Sequence, residues 1–382
     1  MTPFEFATAG RIVVGQGRAA ELPEVLAGLG TRVLVCTGAD PARHAELLAE
    51  PGMPAAMFAV AGEPTVDVAQ AGVAAAREHG ADVVAAIGGG SVIDTGKAVA
   101  MLLGNGGGPL DYLEVVGSGR KITKPSAPLV AVPTTAGTGA EVTANAVLAV
   151  PAHGLKASLR SPLMIPRVAL VDPGLTVSCP PPVTAASGMD ALTQCLEPYV
   201  SVRATPLTDG LAREGLRRAA AGLRAAFADG TDLAARSDMA MCSLLGGMAL
   251  ANAKLGAVHG LAGVIGGTAA VPHGVACAAL LAPVIEANVR ALRPAPDGQP
   301  ALAKYTEVAG ILTGDPAAAV EDGIAWIRDT VGLLEIPRLA AFGLSTQDVG
   351  DVAAKAATSS SMQGNPALLS DDDLRTILLD AI

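Results

Sequence analysis

The sequence predicts an N-terminal α/β domain built on a parallel sheet, followed by an all-α C-terminal domain. In the first half of the chain, short apolar runs typical of buried strands alternate with helical periodicity, whereas beyond residue 180 almost every segment has helical periodicity. Three consecutive prolines, Pro180–Pro182, lie between these halves and lack backbone N–H donors. We therefore expect an α/β domain over residues 1–180 and a helical domain over residues 181–382.

Three apolar runs predict parallel strands in the first domain, at residues 32–37, 82–87 and 129–133. Helical periodicity occurs between the first two runs, at residues 41–49 and 68–79. Strands that alternate with helices predict an open parallel sheet covered on both faces. Because nucleotides bind such sheets at the carboxyl ends of the strands, the loops after these runs are candidate binding sites.

The second domain is predicted to be helical because its apolar residues recur at helical spacing and strand-like runs are scarce. The predicted helices are residues 184–197, 207–228, 233–254, 282–291, 301–312, 317–333 and 346–359.

One uncharged stretch, residues 255–285, is long enough to span a bilayer. It contains His259, His273, six glycines and two prolines, which would leave polar groups and a broken helix in hydrocarbon. We therefore expect a buried hairpin of core helices at this stretch and no membrane span.

Charge and composition exclude several classes of partner. The chain has 36 acidic and 26 basic residues, a net charge of −10, and only nine aromatic residues, which disfavours nucleic acids and anionic membranes as partners. The five cysteines are scattered and form no Cys-x-x-Cys pair, which indicates reduced thiols. The N-terminal sequence lacks the basic and apolar regions of a signal peptide, so we expect a cytoplasmic protein.

The most specific local motif is a glycine loop at the end of the strand predicted at 82–87. Gly88, Gly89 and Gly90 precede Ser91 and open a predicted helix that contains Asp94. Glycines let backbone N–H groups face an anion, and the helix N-terminus adds its positive dipole end, so a diphosphate is the expected guest. The alternative is a tight strand-to-helix turn whose glycines serve packing only. The motif is neither a Walker loop nor a Gly-x-Gly-x-x-Gly fingerprint.

A second polar loop follows the strand predicted at 129–133. Thr134, Thr135 and Thr138 lie in it, and their hydroxyls could bind phosphate, ribose or a carboxamide. Such turns are common, so the loop by itself is a weak signal. Two polar loops at one edge of a parallel sheet nevertheless reinforce each other.

Four polar residues of the helical half are candidates for a divalent metal site. Asp190 and Gln194 share a face of one predicted helix, and His259 and His273 lie in the uncharged stretch. A buried histidine is most often a hydrogen-bonded core residue. Two histidines near a carboxylate make a metal site an equal alternative, with Fe or Zn as the ion.

Five segments together resemble the iron-containing, or group III, alcohol dehydrogenases. They are GGGSVIDTGKAVA (88–100), PTTAGTGAEVT (133–143), GMDALTQCLEPYVS (188–201), GAVHGLAGVIGGTAAVPHG (256–274) and SSMQGNPALLSDDDL (360–374). The resemblance covers essentially the whole chain, with its motifs in order. It implies the dehydroquinate synthase-like fold, an N-terminal dinucleotide domain plus a C-terminal helical domain, and a homodimer.

The resemblance also implies roles for individual residues. Those assigned to the coenzyme, NAD or NADP, are Gly88, Gly89, Ser91 and Asp94 at the diphosphate, Thr134, Thr135 and Thr138 at phosphate, ribose and nicotinamide, and Lys156 near the nicotinamide ribose. Asp190, His259 and His273 match three of the family's four metal ligands.

The sequence departs from the family pattern at three positions. Gln194 stands where the family has its fourth ligand, a histidine, and its amide oxygen is a weaker donor than imidazole. Gly263 replaces a histidine near the substrate, which removes a proton relay. Gly38 stands where many members have an aspartate that binds the adenosine ribose, so discrimination against NADP is weakened, although Asp40 is close enough to substitute.

These features predict an NAD(P)-dependent oxidoreductase that interconverts a small alcohol and its aldehyde or ketone, assisted by the metal. Three alternatives stay open. One is a metal-independent reductase of the maleylacetate reductase type, and another is a non-catalytic dinucleotide-binding homologue. The third, a dehydroquinate synthase-like lyase, needs basic residues for a phosphorylated substrate, whereas Lys254 is the one cation near the histidines in sequence.

Overall fold

The computed structural model describes residues 3–48 and 52–382, which divide into two compact units. The α/β unit comprises Ala7–Thr135 and Gly139–Thr176. The helical unit comprises Val177–Ile382, the short segment Ala136–Thr138 and the N-terminal residues up to Phe6. A domain boundary at residue 180 stays a prediction of the sequence.

The α/β unit is built on a six-stranded parallel sheet. Its described strands, in chain order, are β1 (Arg11–Val14), β2 (Val33–Thr37), β3 (Ala55–Ala59), β4 (Val83–Gly88), β5 (Leu129–Pro133), β6 (Asn145–Val150), β7 (Leu155–Arg160) and β8 (Val168–Val171). The sheet has the order β1-β8-β5-β4-β2-β3, and β6 and β7 form a separate antiparallel hairpin. Every residue of β2, β4 and β5 is buried, which is the pattern of parallel strands covered on both faces.

The described residues of this unit form three α-helices: α1 (Leu22–Ala27), α2 (Val66–His79) and α3 (Gly90–Asn105). One apolar cluster joins α1 to one face of the sheet, and another joins α2 and α3 to the opposite face. The hydroxyl of Thr65 caps α2 by accepting the Val68 N–H at 3.1 Å, and Gly80 ends that helix with a φ of 70°.

The helical unit packs nine described α-helices around one large apolar cluster. They are α4 (Pro181–Val200), α5 (Pro206–Ala228), α6 (Leu233–Ala253), α7 (Ala257–Thr268), α8 (His273–Leu292), α9 (Gln299–Thr313), α10 (Val320–Leu333), α11 (Val349–Ala357) and α12 (Asp371–Ala381). Small residues let α4, α5 and α6 approach closely. A Cβ at Gly222 of α5, for example, would lie 2.9 Å from the carbonyl oxygen of Ala235 in α6.

The predicted fold class is confirmed, and so are the strands expected near 32–37, 82–87 and 129–133. The α-helix predicted at 41–49 is wrong: Pro41–Leu48 forms 3₁₀ turns with a break at His44, and residue 49 lies outside the described residues. The sequence analysis missed strands β1, β3 and β8, the β6–β7 hairpin and helix α12. Strands β1 and β8 are only four residues long, and β3 (AAMFA) is rich in alanine, which is depleted in strands, so none of the three has a clear strand signal.

The uncharged stretch forms α7 and most of α8. Helix α8 is long and apolar enough to cross a membrane, but 78% of its most apolar window is buried inside the protein. Helices α6 and α7 pass the same test only as a pair, and the chain bends by 99° between them. This burial is typical of core helices, as the glycines and prolines of the stretch predicted.

Two buried charged residues, Lys97 and Glu141, and the partly buried Asp94 lie at α3 and the loop after β5. The ammonium of Lys97 donates to the Thr143 hydroxyl at 2.7 Å and to the Asn145 carbonyl at 2.8 Å, and it lies 3.7 Å from a carboxylate oxygen of Asp94. Glu141 is 2% exposed, and burial raises the pKa of its carboxyl to about 7, an effect that Lys97 offsets only in part.

We expect Glu141→Gln to flatten the dependence of stability on pH between about 4.5 and 8. Because the pKa of Glu141 rises from 4.5 to about 7 on folding, its favourable contribution is complete below pH 4.5 and is lost as pH rises through 7. The wild-type protein should lose about 3 kcal/mol over this range from this group, and the glutamine variant should not. Urea titrations at several pH values measure the difference, and parallel curves for the two proteins would contradict it.

Candidate active site

The glycine loop and the threonine loop lie side by side, because β4 and β5 are parallel neighbours. The Thr134 N–H donates to the Gly88 carbonyl at 3.0 Å, and Gly88 is in register with Pro133. A Cβ at Gly88 would lie 2.6 Å from Cβ of Val92, so this glycine is required for the tight turn from strand to helix. A Cβ at Gly89 would lie 3.3 Å from the Thr135 hydroxyl oxygen. The expectation that the two loops open on one sheet edge is therefore confirmed.

Helix α3 begins at Gly90 and is not capped by a side chain at Gly89. The first backbone N–H groups of this 16-residue helix, including that of Ser91, therefore point beyond its N-terminus, where an anion is favoured. Thr138 is grouped with the helical unit, unlike Thr134 and Thr135.

Two other residues assigned to the coenzyme have partners within the α/β unit. Asp94 accepts the Val147 N–H at 3.0 Å and faces Lys97, so it connects α3 to the β6–β7 hairpin. Burial raises the pKa of the Asp94 carboxyl despite the nearby ammonium. Lys156, on β7, forms an ion pair with Glu63 at 2.7 Å.

In the helical unit, α4, α7 and α8 bring Asp190, His259 and His273 together. Nε2 of His259 lies 3.3 Å from Oδ1 of Asp190, and Nε2 of His273 lies 3.7 Å from the same oxygen. The two imidazole centroids are 5.3 Å apart. The cluster is assembled by tertiary packing, since Asp190 and His259 are 69 residues apart in sequence.

Glu197 sets the orientation and tautomer of His259. One carboxylate oxygen accepts the Val258 N–H at 2.7 Å, and the other lies 2.6 Å from Nδ1 of His259. A carboxylate can only accept, so Nδ1 carries a proton, and Nε2 is the ring nitrogen directed at Asp190, where it can bind a metal once it is unprotonated. A carboxylate behind an imidazole is the usual second layer of a histidine metal site.

Gln194 lies one turn after Asp190 on α4, and its amide hydrogen-bonds Asp190. Its Oε1 is buried and has no hydrogen-bond partner among the described residues. A buried acceptor without a donor is costly, so this oxygen is a candidate for a cation or a bound hydroxyl group.

The electrostatics of the cluster favour positive charge. Burial by itself raises the pKa of Asp190, but the two histidines and Gln194 outweigh it and lower that pKa to about 2. Burial likewise lowers the pKa of His259, yet Cys277, Glu197 and Asp190 raise it well above its ordinary value. Cys277 and Asp190 also raise the pKa of His273. Protons or a metal cation can supply that charge, and these donors with the unpartnered Gln194 oxygen fit a divalent metal.

The sequence analysis missed two members of this site. Cys277 offers its sulfur to the cluster, and all four ligand atoms of Asp190, His259, His273 and Cys277 lie within 4.8 Å of one another. Glu197 holds His259. Helical spacing could have revealed both, since Cys277 comes four residues after His273 and Glu197 comes seven after Asp190.

At Gly274, next to His273, α8 approaches the backbone of α4 closely. A Cβ there would meet the carbonyl oxygen of Ala186, at a separation no real Cβ shows. Gly263 of α7 is the opposite case, since its Cβ would have nothing within 4 Å.

We expect Gly274→Ala to destabilise the protein by about 2 kcal/mol, because the helix must shift to relieve overpacking against backbone. The matched variant Gly263→Ala should be neutral or stabilising by about 0.5–1 kcal/mol, since alanine favours a helix. Free energies of unfolding from denaturant titration measure both effects. Equal effects of the two substitutions would show that the close approach at Gly274 does not constrain α8.

A parallel α/β unit and a helical unit with an Asp–His–His cluster are together typical of metal-associated dehydrogenases. The chain belongs to the iron-containing alcohol dehydrogenase family, and it is an alcohol dehydrogenase. The model of iron-containing alcohol dehydrogenases matches residues 9–173, and the model of the C-terminal part of this family matches residues 184–382.

Individual relatives support this assignment over the whole chain. Alcohol dehydrogenase 4 of Saccharomyces cerevisiae (strain YJM789) is 35% identical over 341 residues, which are 89% of this chain and 86% of the yeast protein. The crystal structure of a 1,3-propanediol oxidoreductase superposes with a TM-score of 0.92 and 31% identity, covering 100% of both chains. A sulfoacetaldehyde reductase from Bifidobacterium kashiwanohense in complex with NAD+ superposes with a TM-score of 0.87 and 28% identity, covering 100% of this chain and 99% of that one.

Proposed function

We propose that this protein catalyses reversible hydride transfer between NAD(P)H and a small aldehyde or ketone, assisted by a divalent metal. The observation that carries the proposal is the cluster of the buried Asp190 and His259 with the half-buried His273, backed by Glu197. This cluster combines one negative ligand with two imidazoles, a donor set suited to iron or zinc.

Asp190, His259 and His273 would hold the metal, and the carbonyl oxygen of Gln194 is available as a further donor. A divalent ion at this position supplies Lewis-acid polarisation of the substrate oxygen. The protein groups keep the site ready for it. Glu197 holds His259 as the tautomer with a free Nε2, and Asp190 contributes the negative charge that offsets the cation.

We assign the coenzyme to the α/β unit. The N–H groups at Gly88, Gly89, Gly90 and Ser91 would bind the diphosphate at the start of α3. Thr134, Thr135, Thr138 and Lys156 would contact phosphate, ribose and nicotinamide. Asp94 connects α3 to the β6–β7 hairpin. We therefore propose that it affects coenzyme binding indirectly, by fixing the position of the glycine loop at the start of α3.

Both NAD and NADP are proposed as coenzymes. Nothing lies within 4 Å of a Cβ at Gly38, so the space after β2 is open where a carboxylate would reject the extra phosphate. Asp40, which could substitute, accepts the Ala42 N–H at 3.0 Å. The NAD+ in the structure of the sulfoacetaldehyde reductase supports a nicotinamide coenzyme.

In the reducing direction, a hydride leaves the nicotinamide for the carbonyl carbon, and the carbonyl oxygen gains a proton to give the alcohol. Gly263 offers no side chain for this proton transfer. The proton therefore comes from water or from a ribose hydroxyl. Kinship with the family also leads us to propose a homodimer and a cytoplasmic location.

The test is an assay of the purified protein with NADH and NADPH over short aldehydes, ketones and keto acids, after EDTA treatment and after readdition of Fe²⁺ or Zn²⁺. We expect oxidation of at least one coenzyme that is lost with EDTA and restored by metal. Activity indifferent to chelation would indicate the metal-independent reductase. Tight coenzyme binding without turnover under any condition would indicate a non-catalytic homologue.

A further inference from the structure

The sulfur of Cys277 occupies a position that a fourth metal ligand would have. It lies 3.9 Å from Nε2 of His259 and 3.7 Å from Nε2 of His273. With zinc bond lengths of about 2.3 Å to sulfur and 2.0–2.1 Å to nitrogen, a regular tetrahedron has S···N edges of about 3.6 Å. The two sulfur distances are close to that value.

Two further separations, of the six in a tetrahedron, fit the same polyhedron. A tetrahedral N···O edge is about 3.3 Å for zinc bonds of about 2.0 Å. The oxygen of Asp190 lies 3.3 Å from Nε2 of His259 and 3.7 Å from Nε2 of His273. Four of the six separations among Asp190, both histidines and Cys277 therefore approximate a four-coordinate cage, and the other two are no longer than 4.8 Å.

Secondary structure explains why Cys277 can join the cluster. His273 and Cys277 are separated by one turn of α8, so their side chains lie on one face of that helix. Cys277 is fully buried, and its sulfur faces the same volume as both imidazoles.

Gln194 is the weaker competitor for the fourth position. Its amide group already hydrogen-bonds Asp190, and a neutral amide oxygen is a poor ligand for zinc or iron compared with a thiolate. Position 194 thus has an amide and not an imidazole, whereas the thiol of Cys277 is a stronger and softer donor than that amide.

We propose that Cys277 is a metal ligand, so that this site has an Asp–His–His–Cys donor set that selects zinc over iron. The proposal rests on the metal site of the proposed function and adds its fourth ligand and its metal preference. Thiolate is a soft ligand that favours zinc, so the change from the family pattern alters which ion the protein retains.

Cobalt substitution tests the ligand by a spectroscopic readout that does not depend on activity. Apo protein titrated with Co²⁺ should develop a thiolate-to-cobalt charge-transfer band in the near ultraviolet. Cys277→Ser should lose that band while retaining bound cobalt by elemental analysis. Gln194→Ala should keep it, and so should the control Cys179→Ser, whose half-buried thiol precedes α4.

Zinc X-ray absorption of the wild-type protein provides a second test that needs no variant. We expect one sulfur scatterer at about 2.3 Å in addition to nitrogen and oxygen.

In a competition between equal concentrations of Zn²⁺ and Fe²⁺, the wild-type protein should retain mainly zinc. Cys277→Ser should bind zinc at least tenfold more weakly.

The outcomes separate this proposal from the proposed function. Bound metal without a sulfur scatterer and without the charge-transfer band overturns the Cys277 ligand and leaves metal-assisted catalysis standing. Failure of the wild-type protein to bind Co²⁺, Zn²⁺ or Fe²⁺ overturns both.

Discussion

Replacing Asp190 with asparagine is expected to abolish metal retention and to lower kcat/KM by about 1,000-fold, or ~4 kcal/mol. Asp190 is 2% exposed and lies next to both imidazoles, where its negative charge lowers the cost of a buried cation. An amide of the same size keeps the packing but removes that charge. Metal content after dialysis and steady-state kinetics with the preferred coenzyme measure the two effects.

The control for this prediction is Asp238→Asn, which removes a half-buried carboxylate in an ion pair with Arg218 of the same unit. It should retain metal and activity. Circular dichroism and coenzyme titration verify that Asp190→Asn is folded and still binds coenzyme. An Asp190→Asn protein with wild-type metal content and activity would exclude this cluster as the catalytic metal site.

Glu197→Gln is expected to weaken metal affinity by about 10–100-fold, the usual effect of losing the carboxylate behind a ligating histidine. The Glu197 carboxylate accepts both the His259 Nδ1–H and the Val258 N–H. Glutamine has one acceptor oxygen, so one of these donors must face an NH₂ group. His259 then loses its fixed tautomer, and the start of α7 loses a hydrogen bond.

Glu197 is a positioning residue, so its test must distinguish a change in the orientation of His259 from a loss of folded structure. We expect kcat to fall while KM for the coenzyme changes little. The low-field proton resonance of His259 Nδ1, expected from a 2.6 Å hydrogen bond, should disappear in proton NMR spectra. Glu286→Gln on α8, where the carboxylate is 42% exposed and pairs with Arg328, is the control and should change none of these. Unaltered metal affinity and an unaltered resonance in Glu197→Gln would refute the positioning role.

The fold could be predicted largely from the sequence because its main signals are local. The buried runs of β2, β4 and β5 and the periodic helices α5, α6 and α10 are properties of short windows. The failures also have local causes. Strands β1 and β8 are four residues long. In Pro41–Leu48 no residue is fully buried, and only Leu47 and Leu48 pack partly against the core, so packing does little to stabilise an α-helix there.

The candidate site could be predicted only in part. Asp190, His259 and His273 were recognised by motif, and the structure brings their ligand atoms together. Cys277 escaped notice because a lone cysteine in an apolar helix is usually a core residue. Glu197 was missed because a carboxylate on a long, mostly apolar helix indicates no partner until the neighbouring helix is in place.

By itself the sequence determined the α/β-then-helical order, the glycine and threonine loops and three of the four clustered residues, because each depends on residue type and short spacing. Only the tertiary structure decided which side-chain atoms lie close to one another at the site. It placed Glu197 behind Nδ1 of His259, left Oε1 of Gln194 without a partner among the described residues, and brought the sulfur of Cys277 to two imidazoles. These contacts depend on how α4, α7 and α8 pack, and packing between segments distant in sequence is not encoded in any one window.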